Sequence, residues 1–299
     1  MSILIVGSVA LDSVETPFGK RRDILGGSAT FSSIAASFFN HVDIVAVVGD
    51  DFPVSYRTLF TKTGIGTNGL SVAEGKTFRW DGRYSYDLNT AETIATHLNV
   101  FKDFKPEIPA RLKDAPFLFL ANIDPDLQQM VLDQVKRPRL VACDSMNFWI
   151  QHKKRELENL LPRIDILLFN DAEARQFSGE SNLLKAAQFI VKYGPRAVII
   201  KRGEHGVLYF SKDSHFAAPA YLLESLYDPT GAGDTFAGGM IGYLSKVKKI
   251  NESAIRRSII YGSIMASFAV EDFSVNKLLE ISLADVKKRF EEFKRITKF

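Results

Sequence analysis

Short apolar runs recur along the chain, and each stops at a polar residue or a glycine. Ile3–Val6 stops at Gly7-Ser8, Val42–Val48 at Gly49-Asp50-Asp51, and Pro116–Ala121 at Asn122. Arg139–Cys143 stops at Asp144, Ile164–Phe169 at Asn170, and Ala197–Lys201 at Arg202-Gly203. Runs this short and this continuously apolar predict strands covered on both faces. Helical stretches fall between or after them, at 32–39, 53–63, 126–136, 252–269 and 283–297. The strand–helix alternation predicts an α/β fold with a parallel sheet.

One stretch breaks this rhythm. Thr77–Tyr86 alternates with period two around Asp81-Gly82, which predicts a β-hairpin turning at that pair. Phe78 and Trp80 share one face, and Tyr84 and Tyr86 share one. Set between helical units, such a hairpin either packs as an edge or covers a substrate or a partner. Asn99–Pro109 reads as a connector, and 207–210 with 215–217 as a short hairpin.

Composition narrows the class of protein. The chain is 46% hydrophobic and 24% charged, which suits a globular protein with a sizeable core. Its net charge is +3 with no dominant basic block, so nucleic acid has no electrostatic argument. The single cysteine, Cys143, allows no internal disulfide and ends an apolar run, as a buried structural thiol would. Ser2–Leu11 lacks a basic leader, and no apolar run approaches a membrane span, so the expectation is a soluble, cytoplasmic protein. The five histidines and one cysteine show no metal-ligand spacing.

The chemistry concentrates in Asp228-Pro229-Thr230-Gly231-Ala232-Gly233-Asp234-Thr235-Phe236-Ala237-Gly238-Gly239. A glycine-rich turn opening a helix lets backbone N–H groups approach an anion, which the helix terminus also favours. Asp234, in that first turn, either caps the helix or serves as a base beside the anion. Two common alternatives fail. A dinucleotide fingerprint needs glycine where Phe236 stands, and a P-loop before Gly75-Lys76-Thr77 needs glycine where Leu70 stands.

Other candidates follow the strand ends. Asn122 lies at a strand's carboxyl end, where α/β sheets bind ligands. Gly26-Gly27 precedes a helix of small residues and permits backbone–ligand approach. Asn170 and Glu173 share a first helical turn, as a cap or as a carboxylate that holds Mg²⁺ through water. Lys201 with Gly203 and Gly206 offers a cation and open backbone, which suit phosphate.

The twelve-residue stretch closely resembles the C-terminal signature of the ribokinase-like (PfkB) carbohydrate kinase family. That resemblance implies Asp234 as the base and the backbone of Gly231, Ala232 and Gly233 as an anion hole. It implies Asp12, Gly26 and Gly27 as acceptor-binding residues, with Asn170, Lys201, Gly203 and Gly206 around the nucleotide and Glu173 at the metal. Only the two glycines of the N-terminal signature carry over, because Phe31 stands where many members have asparagine. Phe148 likewise stands where many sugar kinases place an arginine after Asp144. The implied reaction moves the γ-phosphoryl group of ATP, with Mg²⁺, to a hydroxyl of a sugar or polyol. A nucleoside kinase, a catalytically silent nucleotide sensor and an interaction protein docking through the aromatic hairpin are the alternatives. The resemblance further implies a three-layer fold with helices on both faces of a mostly parallel central sheet. It implies a small β-strand lid, formed mainly by about residues 66–90 of a single 299-residue domain, and it allows a monovalent cation and a homodimer contact through that lid.

Overall fold

The computed structural model describes residues 2–298. The chain begins with β1 (Ser2–Val6) and leaves the large sheet for a hairpin of β2 (Ala10–Thr16) and β3 (Gly19–Gly26). Helix α1 (Ser28–Ser37) leads back to β4 (His41–Gly49), and α2 (Val54–Lys62) leads to β5 (Ile65–Ala73). A second excursion forms β6 (Arg79–Tyr84) and β7 (Ala91–His97). Regular alternation then resumes through β8 (Phe117–Leu120), α3 (Pro125–Leu132) and β9 (Leu140–Asp144). It continues through α4 (Asn147–His152), α5 (Lys154–Leu160), β10 (Ile166–Asn170), α6 (Asp171–Ser178), α7 (Leu183–Val191) and β11 (Ala197–Lys201). The hairpin β12 (Val207–Ser211) and β13 (His215–Ala218) precedes α8 (Ala232–Lys246), α9 (Glu252–Ala269), α10 (Asn276–Glu280) and α11 (Leu283–Ile296).

The nine-stranded sheet runs β13-β12-β11-β10-β9-β8-β1-β4-β5 and is parallel from β11 to β5. Only the β12–β13 hairpin adds antiparallel pairs. Alternate residues of each inner strand feed two separate cores. Ile3, Ile5, Phe117 and Phe119 join the core formed with α1, α8, α9 and α11. Leu4, Val6, Leu118 and Leu120 join the core under α5, α6 and α7. Burial on both faces is why these strands read as continuous apolar runs. Cys143 is fully buried in the second core, and burial raises its thiol well above its ordinary pKa, as suits a structural role.

Helix α8 lies in the first core because its small residues let backbones meet. A Cβ on Gly238 would stand 2.2 Å from the Ser32 carbonyl oxygen of α1, and one on Gly239 would stand 2.8 Å from Met265 of α9. That approach places the start of α8 at the carboxyl ends of the parallel strands.

The small sheet has the order β3-β2-β6-β7. It corrects the reading of Asp81-Gly82 as a turn, because both residues lie inside β6, at a bulge against β7. Gly82 is there for room: a Cβ would come within 2.0 Å of the Trp80 ring. The chain turns instead between β6 and β7, where Leu88 takes a positive φ. Residues 65–73, expected mostly within the lid, form the edge strand β5 of the large sheet. The lid draws instead on β2 and β3, whose alternation is broken by an irregularity between Asp12 and Val14. Asn99–Pro109 contains a 3-10 turn at Asn99–Asp103.

Candidate active site

Helix α8 begins at Gly231, whose φ of 74° is left-handed. A side chain there would be excluded anyway, because a Cβ would stand 2.3 Å from the Phe31 ring. Phe31 therefore packs beneath the turn. Asp228 shapes the approach: its Oδ1 accepts from the Thr230 N–H at 2.9 Å. The Ala232 N–H turns back to the Pro229 carbonyl at 3.2 Å. The next N–H groups, of Gly233 and Asp234, belong to a first helical turn that has no acceptors of its own.

Below this turn three neighbouring strands of the sheet end in polar residues: Asp144 on β9, Asn170 on β10 and Lys201 on β11. Lys201 Nζ donates to Asp144 Oδ2 at 2.7 Å, with side chains 17% and 5% exposed. A Cβ on Gly233 would stand 3.1 Å from that ammonium, so the glycine keeps the turn close over it. Asn170 caps α6. Its side-chain oxygen accepts from the Glu173 N–H at 2.7 Å, while its own N–H and Nδ2 donate to the two Glu173 oxygens at 2.7 and 2.8 Å.

One ammonium thus faces the carboxylates of Asp144, Glu173 and Asp234. Burial works against the Lys201 charge, but Asp144 and Glu173 more than offset it and hold its pKa above the ordinary value. Burial pushes Glu173 up to about 8, with Lys201 opposing and Asp144 adding. Burial, joined by Asp144 and opposed by Lys201, pushes Asp234 up to about 7. A cluster with surplus negative charge is one that a bound cation would relieve.

On the lid side, Asp12 of β2 is buried, and its Oδ2 occupies the space a Cβ on Gly26 would need. Its Oδ1 has no hydrogen-bond partner although it is buried. Burial, with Asp228 adding, pushes Asp12 up to about 8. Gly27 has a φ of 95° and packs against the Ser8 carbonyl, which lets α1 start beside Asp12. The lid itself meets the helix turn, since the Thr230 hydroxyl lies 3.3 Å from the Tyr84 hydroxyl. Burial raises the Tyr84 phenol above its ordinary value.

Asn122 follows β8, and its Oδ1 accepts from Trp149 Nε1 of α4 at 3.1 Å. Gly203 has a φ of 52° and lies near Asn89 of the β6–β7 turn, while Gly206 packs against the backbone of Ala218 and Pro219. The structure therefore gathers Asp12, Gly26, Gly27 and Asn122 beside one another, and Asn170, Glu173 and Lys201 beside the α8 turn. Sequence reasoning missed Asp144 as the Lys201 partner, Tyr84 as the lid contact and Trp149. The signal for Asp144 as a site residue was present, because it ends an apolar strand at the same end of the sheet as Asn122 and Asn170, but nothing local marked its pairing with Lys201.

The raised carboxylates predict how stability depends on pH. Asp12, Glu173 and Asp234 bind protons in the folded state at pH values where the unfolded chain has lost them. Stability is therefore full near pH 4 and falls as pH rises through about 7 to 8. The unliganded protein is expected to melt at a lower temperature at pH 8.5 than at pH 6. A melting temperature that rises over that interval would contradict the assigned burial.

A sequence profile of the pfkB family carbohydrate kinases matches residues 12–281. The chain belongs to that family. The cytidine kinase of Thermococcus kodakarensis is 27% identical over 84% of this chain and 91% of its own. The nucleoside kinase of Thermoplasma acidophilum is 23% identical over 97% of this chain and 90% of its own. A putative Ribokinase II from E. coli, solved with ATP and Mg²⁺, superposes with a TM-score of 0.79 at 18% identity, covering 97% and 99% of the two chains. The pfkB chain is accordingly a phosphotransferase with a hydroxyl acceptor. Among the described residues no helix is long and apolar enough to cross a membrane.

Proposed function

We propose that this pfkB kinase transfers the γ-phosphoryl group of ATP to a hydroxyl of a nucleoside. The observation that carries the acceptor site is Asp12, whose buried Oδ1 lacks a partner. A buried carboxylate oxygen left unpaired is costly, and a substrate hydroxyl donating to it would remove that cost. A ribose diol supplies such a hydroxyl. Nucleosides are favoured because the relatives that align along most of the chain at 27% identity are named for cytidine and nucleosides, whereas an inositol 3-kinase of Arabidopsis thaliana spans 98% of the chain at 23%. The half-buried Trp149 and Tyr84 near this site also suit an acceptor that carries a planar base.

In this reading Asp234 takes the proton from the attacking hydroxyl. The N–H groups of Gly231, Ala232 and Gly233 face the developing charge, with Ala232 releasing its weak bond to Pro229. Lys201, paired with Asp144, places a fixed cation beneath the transferring group. Asn170, Gly203 and Gly206 border the nucleotide. Among the described residues no three acidic or imidazole side chains are grouped to bind a metal directly, so Mg²⁺ would be held mainly by the ATP phosphates, with Glu173 as the protein carboxylate facing it. Both Glu173 oxygens already accept from Asn170, so Glu173 would hold the ion through water. Mg²⁺ bound with ATP would supply neutralisation of phosphate charge, while Lys201, Asn170 and the α8 turn position the reacting groups.

The test is Mg-ATP turnover to ADP against a panel of nucleosides, ribose and polyols. A nucleoside is expected to exceed ribose in kcat/KM by at least about tenfold, as a site built for a missing group discriminates. Turnover with ribose or a polyol alone would reject the nucleoside and return the reading to carbohydrate. ATP binding without turnover on any acceptor would support a nucleotide sensor.

A further inference from the structure

We propose that Trp149 is a positioning residue that locks the Asn122 amide with its NH₂ presented as the donor to the acceptor substrate. Trp149 Nε1 only donates, and it lies 3.1 Å from Asn122, so the amide oxygen must face it. That choice orients the other half of the amide, leaving Nδ2 with both hydrogens. Asn122 Nδ2 has no protein acceptor among the described residues.

The backbone fixes where this donor sits. The Asn122 carbonyl accepts from the Ser28 hydroxyl at 3.3 Å. Ser28 in turn lies beside Ser8, at the start of α1 next to Gly27 and Asp12. On the other side, buried Gln128 donates to the Ala121 carbonyl at 2.9 Å and to the Asp144 carbonyl at 3.0 Å. Asn122 therefore stands between the residues around Asp12 and the Lys201–Asp144 pair, at the carboxyl end of β8, where an acceptor would lie. Trp149 is half-buried, and its ring is held edge-on by Phe148 at 4.9 Å.

The site would then select acceptors that offer a lone pair at this point, such as a base carbonyl or ring nitrogen, over those that offer a donor. This inference deepens the nucleoside reading and rests on it for the class of acceptor. The orientation of the amide does not depend on which acceptor is used.

A double-mutant cycle over Trp149→Phe and Asn122→Ala tests it, run with whichever acceptor the panel identifies. Trp149→Phe keeps the ring and removes the donor. It should raise acceptor KM about three- to tenfold, as loss of one neutral hydrogen bond does, with a smaller change in kcat and none in the KM for Mg-ATP. If Trp149 acts through Asn122, adding Trp149→Phe to Asn122→Ala should change acceptor KM no further. Additive effects, or an unchanged KM in Trp149→Phe, would overturn the proposal while leaving the kinase reading intact. A substrate-free measurement separates the two further. The Trp149 indole N–H signal, identified by its loss in Trp149→Phe, should exchange slowly in the parent and at least about tenfold faster in Asn122→Ala once the bond is gone. Equal exchange in both proteins would sink the positioning role whatever the acceptor.

Discussion

Asp234→Asn should lower kcat by at least ~10²-fold, the lower end for loss of a general base, while the protein stays folded and binds Mg-ATP. The substitution is isosteric and keeps a polar side chain in the first turn of α8, so the turn at Gly231 has no reason to change. What disappears is the carboxylate proposed to accept the hydroxyl proton. Burial and Asp144 push that carboxyl up to about 7, so near neutral pH it is shared between its two forms. The parent kcat/KM should therefore fall as pH drops below about 7, where Asp234 takes up a proton. The variant should lose that acidic limb together with its turnover. It should also be at least as stable as the parent at pH 8, because asparagine carries no charge to desolvate. An ADP-release assay from pH 5.5 to 9, with a thermal melt of each protein, measures all of this. A loss in kcat smaller than about tenfold would remove Asp234 from the proton transfer.

Lys201→Met should destabilise the protein by about 3–5 kcal/mol at pH 8, the usual cost of removing one partner of a buried ion pair. Lys201 is the ammonium that Asp144 contacts directly, and Glu173 and Asp234 also feel it. Methionine keeps most of the volume, so the cost is electrostatic rather than a cavity. Without the cation, three neighbouring carboxylates must either ionise unpaired or hold their protons. Holding protons is easier at low pH, so the deficit should shrink between pH 8 and pH 6. Denaturant unfolding of parent and variant at both values reads the difference directly. A deficit below about 1 kcal/mol at pH 8, the range of an exposed pair, would mean that solvent screens the cluster.

The same two predictions show what could be read from the chain and what could not. The place of Asp234 was legible because it is set locally, by a turn, two glycines and a helix start within a dozen consecutive residues, whereas the charges around it, Asp144 and Lys201, come from distant strands. The inner strands were legible for a related reason. A strand covered on both faces is apolar at every position, whichever helices cover it, so β1, β4, β8, β9, β10 and β11 could be placed without knowing their neighbours. The Lys201–Asp144 pair was not legible, because it joins residues 57 apart that meet only when β9, β10 and β11 align.

The lid marks the other boundary. Asp81-Gly82 has the composition of a tight turn, yet the packing of Trp80 over Gly82 makes it the bulged centre of a strand. β2 and β3 escaped notice because they cover a polar site and so carry Asp12, Glu15 and a run of charges where a core strand would be apolar. By itself the sequence determined the α/β class, the position of the central helix turn and the residue types at the strand ends, since these follow from local periodicity and backbone freedom. Which strands form the lid, which carboxylate pairs with Lys201 and how Trp149 orients Asn122 were decided by tertiary structure alone. Each depends on contacts between distant segments, and no local pattern encodes them.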